Sequence, residues 1–288
     1  MANTHQHCYC SGCRSIGDCR SNGDCRSIFQ PLTRSRSIGD CRSTRDRRSI
    51  RENTIDELTE VNNMDCIYAD FVEIKNKWKE INSRYSKCCS KKCINKNKPI
   101  GKCIEGNGFV NIFRGENIKY LVGKRGFNKY VVVSAENSFN KPQNCLNYSL
   151  YYFEVKCKFE GWMDIKWMNI GFKNLNTNKY IIYSANNAII YNEKKVQFQL
   201  PTRFNNNDIF GCGLVYPPTN KTEEFPYIFF TKNGKQIGKG ILVKENFDSF
   251  KPNVDLDCCS VDTNFGNNLE LIPFEYDISK HLILKEFY

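Results

Sequence analysis

The sequence predicts an all-β chain: a bent antiparallel β-sandwich preceded by one long amphipathic helix and a disordered N-terminal arm. Three observations carry that prediction. From position 106 onward, short β-branched and aromatic runs recur about every ten residues, with Gly, Asn and Pro between them. The stretch 208–234, DIFGCGLVYPPTNKTEEFPYIFFTKNG, holds two such runs. Pro217-Pro218 closes the first, and Asn233-Gly234 ends the second with the two residues that best tolerate the positive φ of a type I′ hairpin. Upstream of position 54 the composition changes to a Cys/Arg/Ser repeat with too few apolar residues to build a core.

The arm, 1–53, is built on hexapeptides: CRSIGD at 13–18, CRSNGD at 19–24, SRSIGD at 35–40, CRSTRD at 41–46 and RRSIRE at 47–52. Each offers at most one apolar residue, which argues a low-complexity segment without fixed structure. His5, His7, Cys8, Cys10 and Cys13 make a thiolate and imidazole cluster of the kind that suits zinc or copper(I). The cluster lacks the two separated ligand pairs of a zinc finger, so no metal or other cofactor is assigned.

The whole chain of 288 residues carries a net charge of +11. Ten Arg against five acids give the arm 10 − 5 = +5, and the rest of the chain 32 − 26 = +6. The larger part is therefore only mildly basic, a weak footprint for nucleic acid.

Residues 54–87 open with Thr54-Ile-Asp-Glu57, the form of a capping box. Leu58, Val61, Met64, Ile67, Phe71, Ile74, Trp78, Ile81 and Tyr85 follow at spacings of three and four, which predicts a helix over about 55–86. Such a stripe either forms a coiled-coil seam that makes a homodimer or packs against the chain's own sandwich. Residues 88–105 read as a Cys-rich linker, with Cys88, Cys89, Cys93 and Cys103 outside the paired C-x2-C spacing of a zinc knuckle.

The main domain is placed at 106–274 and a C-terminal tail at 275–288. Strands are expected at 110–113, 119–122, 129–134, 151–159, 166–172, 179–183 and 188–191. Others are expected at 196–200, 209–216, 227–232, 236–243, 254–259 and 269–273. Helix-period apolar patterns are missing from this part, which argues against an α/β architecture.

The residues here resemble a known family. YYFEV at 151–155 looks like the opening strand of a SPRY domain, and IGF at 170–172 its next strand. DIFGCG at 208–213 matches the family's GD-x-IGCG strand with Asn207 for the first Gly, and IFFTKNG at 228–234 matches its hairpin. Gly238, Pro252-Asn-Val254 and Asn264-Phe-Gly266 follow in order. The nearest type is Ran-binding-protein-M-like, similar to SPRY proteins of plant-parasitic nematodes, and 109–135 resembles the extra strands of the PRY-SPRY (B30.2) form. One departure falls in a loop: Tyr183-Ser-Ala-Asn-Asn187 stands where the family has an acidic GYxGDDG turn.

The resemblance implies a concanavalin-like jelly roll of two sheets and an adaptor function, in which rim loops bind a short peptide of a partner protein. Carried over residue by residue, the partner-binding set is Ser134, Ala135, Glu136 and Asn137; Tyr183, Ser184, Asn186 and Asn187; and Thr263, Asn264 and Phe265. Tyr supplies rigid contact area in such a rim and Asn adaptable hydrogen bonds. Core packing is the competing role for Tyr183 and Phe265, and a plain turn for Asn186 and Asn187.

No catalytic activity is expected. GxSxG, P-loop and HExxH patterns are missing, and of three His only His281 lies outside the arm. Two other functions stay open: nucleic-acid binding by the Arg-Ser arm, and a lectin-like sandwich that binds glycan. No apolar run approaches the ~18–20 residues of a membrane span, and the first 30 residues lack a signal-peptide core. A cytoplasmic, reducing compartment is the expectation, or secretion as a parasite effector if the true start lies upstream.

Overall fold

The computed structural model describes residues 67–82, 84–162 and 165–283. In chain order their strands are β1 (Asp70–Phe71), β2 (Trp78–Ile81), β3 (Phe109–Phe113), β4 (Asn117–Leu121), β5 (Val131–Ala135), β6 (Phe139–Asn140), β7 (Ser149–Phe159) and β8 (Trp167–Asn174). There follow β9 (Tyr180–Ser184), β10 (Ile189–Tyr191), β11 (Gln197–Gln199), β12 (Ile209–Tyr216), β13 (Tyr227–Lys232), β14 (Lys235–Leu242), β15 (Ser249–Asp257) and β16 (Cys259–Asn264). They make two eight-stranded sheets. The first is ordered β14-β13-β12-β7-β16-β4-β3 with β1 beside β7, and the second β11-β10-β9-β8-β15-β5-β2 with β6 beside β15. All pairings are antiparallel except β1 with β7, where β1 continues the row that β16 leaves at Glu154.

The central strand β7 shows how the sequence makes this architecture. Ser149 to Val155 are buried without alternation, because both faces of the first sheet are covered. Tyr151, Phe153, Val155 and Cys157 face the second sheet in the main core, where Phe153 packs edge-on to Phe172 at 5.7 Å. Leu150 and Tyr152 face the other way and join Val215, Tyr227 and Phe229 in a second cluster. Phe274, Tyr276, Ile278 and Ile283 cover that cluster. Glu154, buried on the same face, accepts the backbone N–H groups of Glu275 (2.8 Å) and Tyr276 (2.9 Å) and so fastens the covering segment. The expected tail is therefore a structural layer over its described residues, 275–283.

The β13–β14 hairpin has the predicted two-residue turn, with φ of +47° at Asn233 and +73° at Gly234. Asn233 also receives the Ile209 N–H on its Oδ1 at 2.8 Å and donates to Asp208 at 3.0 Å, which ties the turn to β12. Burial opposes the Asp208 charge, but hydrogen bonds from Lys232 and Asn233 outweigh it and hold the carboxyl below its usual range. In β12 a Cβ at Gly213 would lie 2.1 Å from the Phe229 ring, so this position admits only glycine while Phe229 keeps its place in the outer cluster.

Three expectations are corrected. Residues 67–82 and 84–87 are not helical: the chain forms β1 and β2 there, and the other residues of the expected 54–87 helix lie outside the described residues. The helical spacing of Trp78 and Ile81 has another cause. A bulge between Trp78 and Glu80 shifts the register on β5, so two residues three apart face the same core. The described half of that stretch thus offers no coiled-coil seam for a dimer. Residues 269–273 form a turn where a strand was expected; Asn264 Nδ2 holds Ile272 O (2.8 Å) and Asn268 Oδ1 accepts the Leu271 N–H (3.2 Å). Residues 88–105 are folded in, with Cys88 and Ile94 in the main core. The arm at 1–53 lies outside the described residues.

Candidate functional site

The residues that the sequence nominated divide by burial. Ser134, Ala135, Tyr183, Ser184 and Phe265 are buried and touch no solvent-facing surface. Tyr183 points between the sheets against Phe210 (5.8 Å) and Phe230 (6.0 Å), and its hydroxyl pairs with Thr202 at 2.6 Å. Burial pushes its pKa up. Phe265 packs on Trp78 (4.9 Å) and Phe153 (5.7 Å). Ser134 donates to Asn253 Oδ1 at 3.0 Å. These five are core. Glu136, Asn137, Asn186, Asn187, Thr263 and Asn264 keep some exposure.

Two of the three nominated segments come together, and a segment between β1 and β2 that the sequence reading missed joins them. Asn76 is the knot. Its Oδ1 accepts the backbone N–H of Asn137 at 3.0 Å, and its Nδ2 donates to Asn137 O at 2.9 Å. Its own N–H donates to Asn267 Oδ1 at 2.9 Å, and Asn267 Nδ2 returns to Asn76 O (2.9 Å) and reaches Glu116 (2.8 Å). Two strand positions on, the Trp78 indole N–H donates to Thr263 Oγ1 at 2.7 Å. The buried amide and indole leave the rim backbone little freedom. Around it stand Lys77, Lys79, Asn137 and Asn268, all exposed. Lys77 (3.2 Å) and Lys79 (2.5 Å) share the Glu136 carboxylate, and their hydrogen bonds hold it below the usual carboxylate range.

A sequence signal for this segment exists. Lys75, Lys77 and Lys79 alternate with Asn76 and Trp78, the period-two pattern of a half-buried strand. It is masked by apolar residues at helical spacing on either side.

The third segment lies elsewhere. Ser184 pairs with Asn169, Asn169 with Asp255, and Asp255 with Val132. The 185–188 turn therefore sits at the end of the second sheet where β5 begins, whereas Glu136 follows the end of β5. From Val131 to Glu136 is about 17 Å at ~3.3 Å per residue. The turn is closed by its own neighbours: Ser184 donates to Asn186 (3.1 Å), and Gln199 Nε2 to Asn187 O (2.9 Å). It has the geometry of a plain turn.

Among the described residues the histidine chemistry is accounted for structurally. His281 is buried, stacked on Phe229 at 4.2 Å, with Tyr227 OH on Nε2 (2.9 Å) and Tyr276 OH on Nδ1 (2.8 Å). Burial lowers its pKa to about 4, so the ring is neutral and both nitrogens are occupied. A cavity of about 490 Å³ opens beside β3 and β4, walled by Ile94, Cys103, Phe109, Tyr120, Val122 and Glu160 among others.

No family model matches the chain, and no curated protein does. Solved structures similar to it include a human SPRY domain, at 21% identity over 56% of this chain and 97% of that one, with a TM-score of 0.39. The SPRY domain of human HERC1 is 13% identical over 64% and 96%, with a TM-score of 0.38. Peanut lectin with a nine-residue peptide is 9% identical over 57% and 93%, with a TM-score of 0.33.

Proposed function

We propose that this chain is a non-catalytic protein-interaction module of the SPRY type, an adaptor that takes a short segment of a partner protein on the rim made by 75–80, 136–138 and 263–268. The observation that carries the reading is the convergence of three segments distant in sequence on one backbone knot at Asn76, with exposed lysine and asparagine side chains around it. A pre-ordered rim of this kind binds without first losing loop entropy. The SPRY-like motifs support the family assignment: YYFEV lies on β7, IGF on β8, GCG on β12 and IFFTK on β13, in two packed sheets. Strands β3 to β5 correspond in this reading to the added strands of the PRY-SPRY form. The compartment is taken to be reducing and cytoplasmic, in keeping with free thiols buried in the core at Cys157, Cys212 and Cys259.

Rim charge narrows the ligand. Two cations, Lys77 and Lys79, face the single carboxylate of Glu136, so an extended peptide with an acidic side chain fits best. The test is selection of a phage-displayed peptide library on the immobilised chain, then fluorescence anisotropy of enriched peptides. Asn137→Glu, which sets a like charge against the acidic peptide at an exposed position, is expected to weaken them by about ten-fold or more, a loss of roughly 1.4 kcal/mol. Failure to enrich any peptide, or unchanged affinity in a folded Asn137→Glu variant, overturns the reading.

A further inference from the structure

Between β2 and β3 the described chain holds no strand, only isolated bridges of Asn95 with Lys98 and of Gly108 with Asn128. Structureless connections longer than about 12–15 residues are uncommon in compact domains unless something ties them down. Here the fixed points are sulfur atoms. Cys88, Cys89, Cys93 and Cys103 place their Sγ atoms within 4.8 Å of one another. Cys89 Sγ lies 3.8 Å from Cys88 Sγ and 3.4 Å from Cys93 Sγ. A tetrahedral ion with thiolates at ~2.3 Å sets sulfur–sulfur separations near ~3.8 Å, inside the observed spread.

The surroundings suit thiolates. The Ile94 N–H donates to Cys88 Sγ at 3.4 Å, the kind of amide support that steadies a ligating sulfur. Lys92 takes φ of +48°, which turns the chain so that Cys93 comes back onto Cys89. Asn107 Nδ2 holds Cys88 O at 2.6 Å, which anchors the first ligand to the start of β3. Lys87, Lys91, Lys92 and Lys102 are exposed in the same segment, against one acid, Glu105. Four thiolates on a divalent cation carry a net charge of −2, and these lysines offset it. Cys88 and Cys89 are buried, and Cys93 and Cys103 half-buried, so the site is closed on the protein side yet open to metal entry.

We propose that Cys88, Cys89, Cys93 and Cys103 bind one thiolate-preferring divalent metal ion, zinc foremost, as a structural site that staples the segment before β3 to the sandwich. Binding exchanges thiol protons for the metal and stabilises the folded segment, as structural zinc sites do. Ile94 and Cys103 also wall the cavity beside β3 and β4, so the ion would hold that wall in place.

The experiment uses the full chain, reduced and stripped of metal, titrated with cobalt(II) and then zinc(II). Expected are one cobalt per chain, tetrahedral d–d absorption with thiolate charge-transfer bands, and displacement by zinc. A full chain with Cys8→Ser, Cys10→Ser and Cys13→Ser is expected to bind equally, which separates this site from the arm. Cys103→Ser is expected to lose about 100-fold or more in affinity. Cys93→His is expected to keep the metal with shifted bands, as one nitrogen replaces one sulfur. The proposal is overturned if the folded, reduced chain takes up no stoichiometric metal, or if binding disappears with the arm cysteines. Unshifted bands in Cys93→His, or mass mapping that finds a disulfide among the four in freshly purified protein, overturn it as well.

Discussion

Acidification should unlock the C-terminal covering layer through one residue. His281 is neutral in the folded chain because burial lowers its pKa from 6.5 to about 4. An unfolded chain binds a proton there near pH 6.5. Between those two values the unfolded state holds more protons, so the contribution of His281 is complete above about pH 6.5 and is lost as pH falls toward 4. The slope approaches ~1.4 kcal/mol per pH unit, and integration from about pH 7.5 to about pH 5 gives a loss of roughly 2 kcal/mol. That is a large part of a domain's usual ~5–15 kcal/mol. Urea unfolding followed by tryptophan fluorescence, for wild type and His281→Gln at matched pH values, reads the effect. Gln lacks the titration, so the variant should start lower and show a flatter profile, with the two curves converging near pH 4. Parallel profiles would show that His281 is not the titrating group and that the layer over Tyr152, Tyr227 and Phe229 is held otherwise.

Two further substitutions probe the packing. Gly213→Ala should destabilise the chain by about 2–3 kcal/mol in urea unfolding, since the Phe229 ring that a Cβ would strike is itself stacked on His281. Trp78→Ala should cost about 3–5 kcal/mol and also weaken peptide binding, because it removes both the core ring against Phe265 and the indole bond to Thr263; a loss under 1 kcal/mol would show that β2 is not built into the sandwich.

Much of the sandwich was legible in the sequence because its strongest signals are local. The bounds of β12 and β13 follow from an apolar run closed by prolines and from the Asn-Gly turn, and no distant contact is needed to place them. β2 was illegible for the opposite reason. Its identity depends on a bulge against β5, a partner more than fifty residues away, and the bulge gives Trp78 and Ile81 a spacing that reads as helix. The rim was half legible. Glu136, Asn137, Thr263 and Asn264 were named from resemblance, but Asn76 and Asn267 act through backbone bonds across about 190 residues, which no short pattern records. Tyr183 was misplaced because a turn and the strand before it share one motif: the turn faces solvent while the tyrosine faces the core. The four cysteines were judged by spacing along the chain, whereas their proximity arises from the turn at Lys92 and from the anchor of Cys88 to Asn107.

Hydrogen–deuterium exchange of the full chain, with and without a library-selected peptide, tests the interaction rim most directly. The account predicts slowed exchange at 75–80, 136–138 and 263–268 and no change at 185–188, at the far end of the second sheet. Protection centred on 185–188, or on the cavity wall at 94–107, with the three rim segments unchanged, would contradict it.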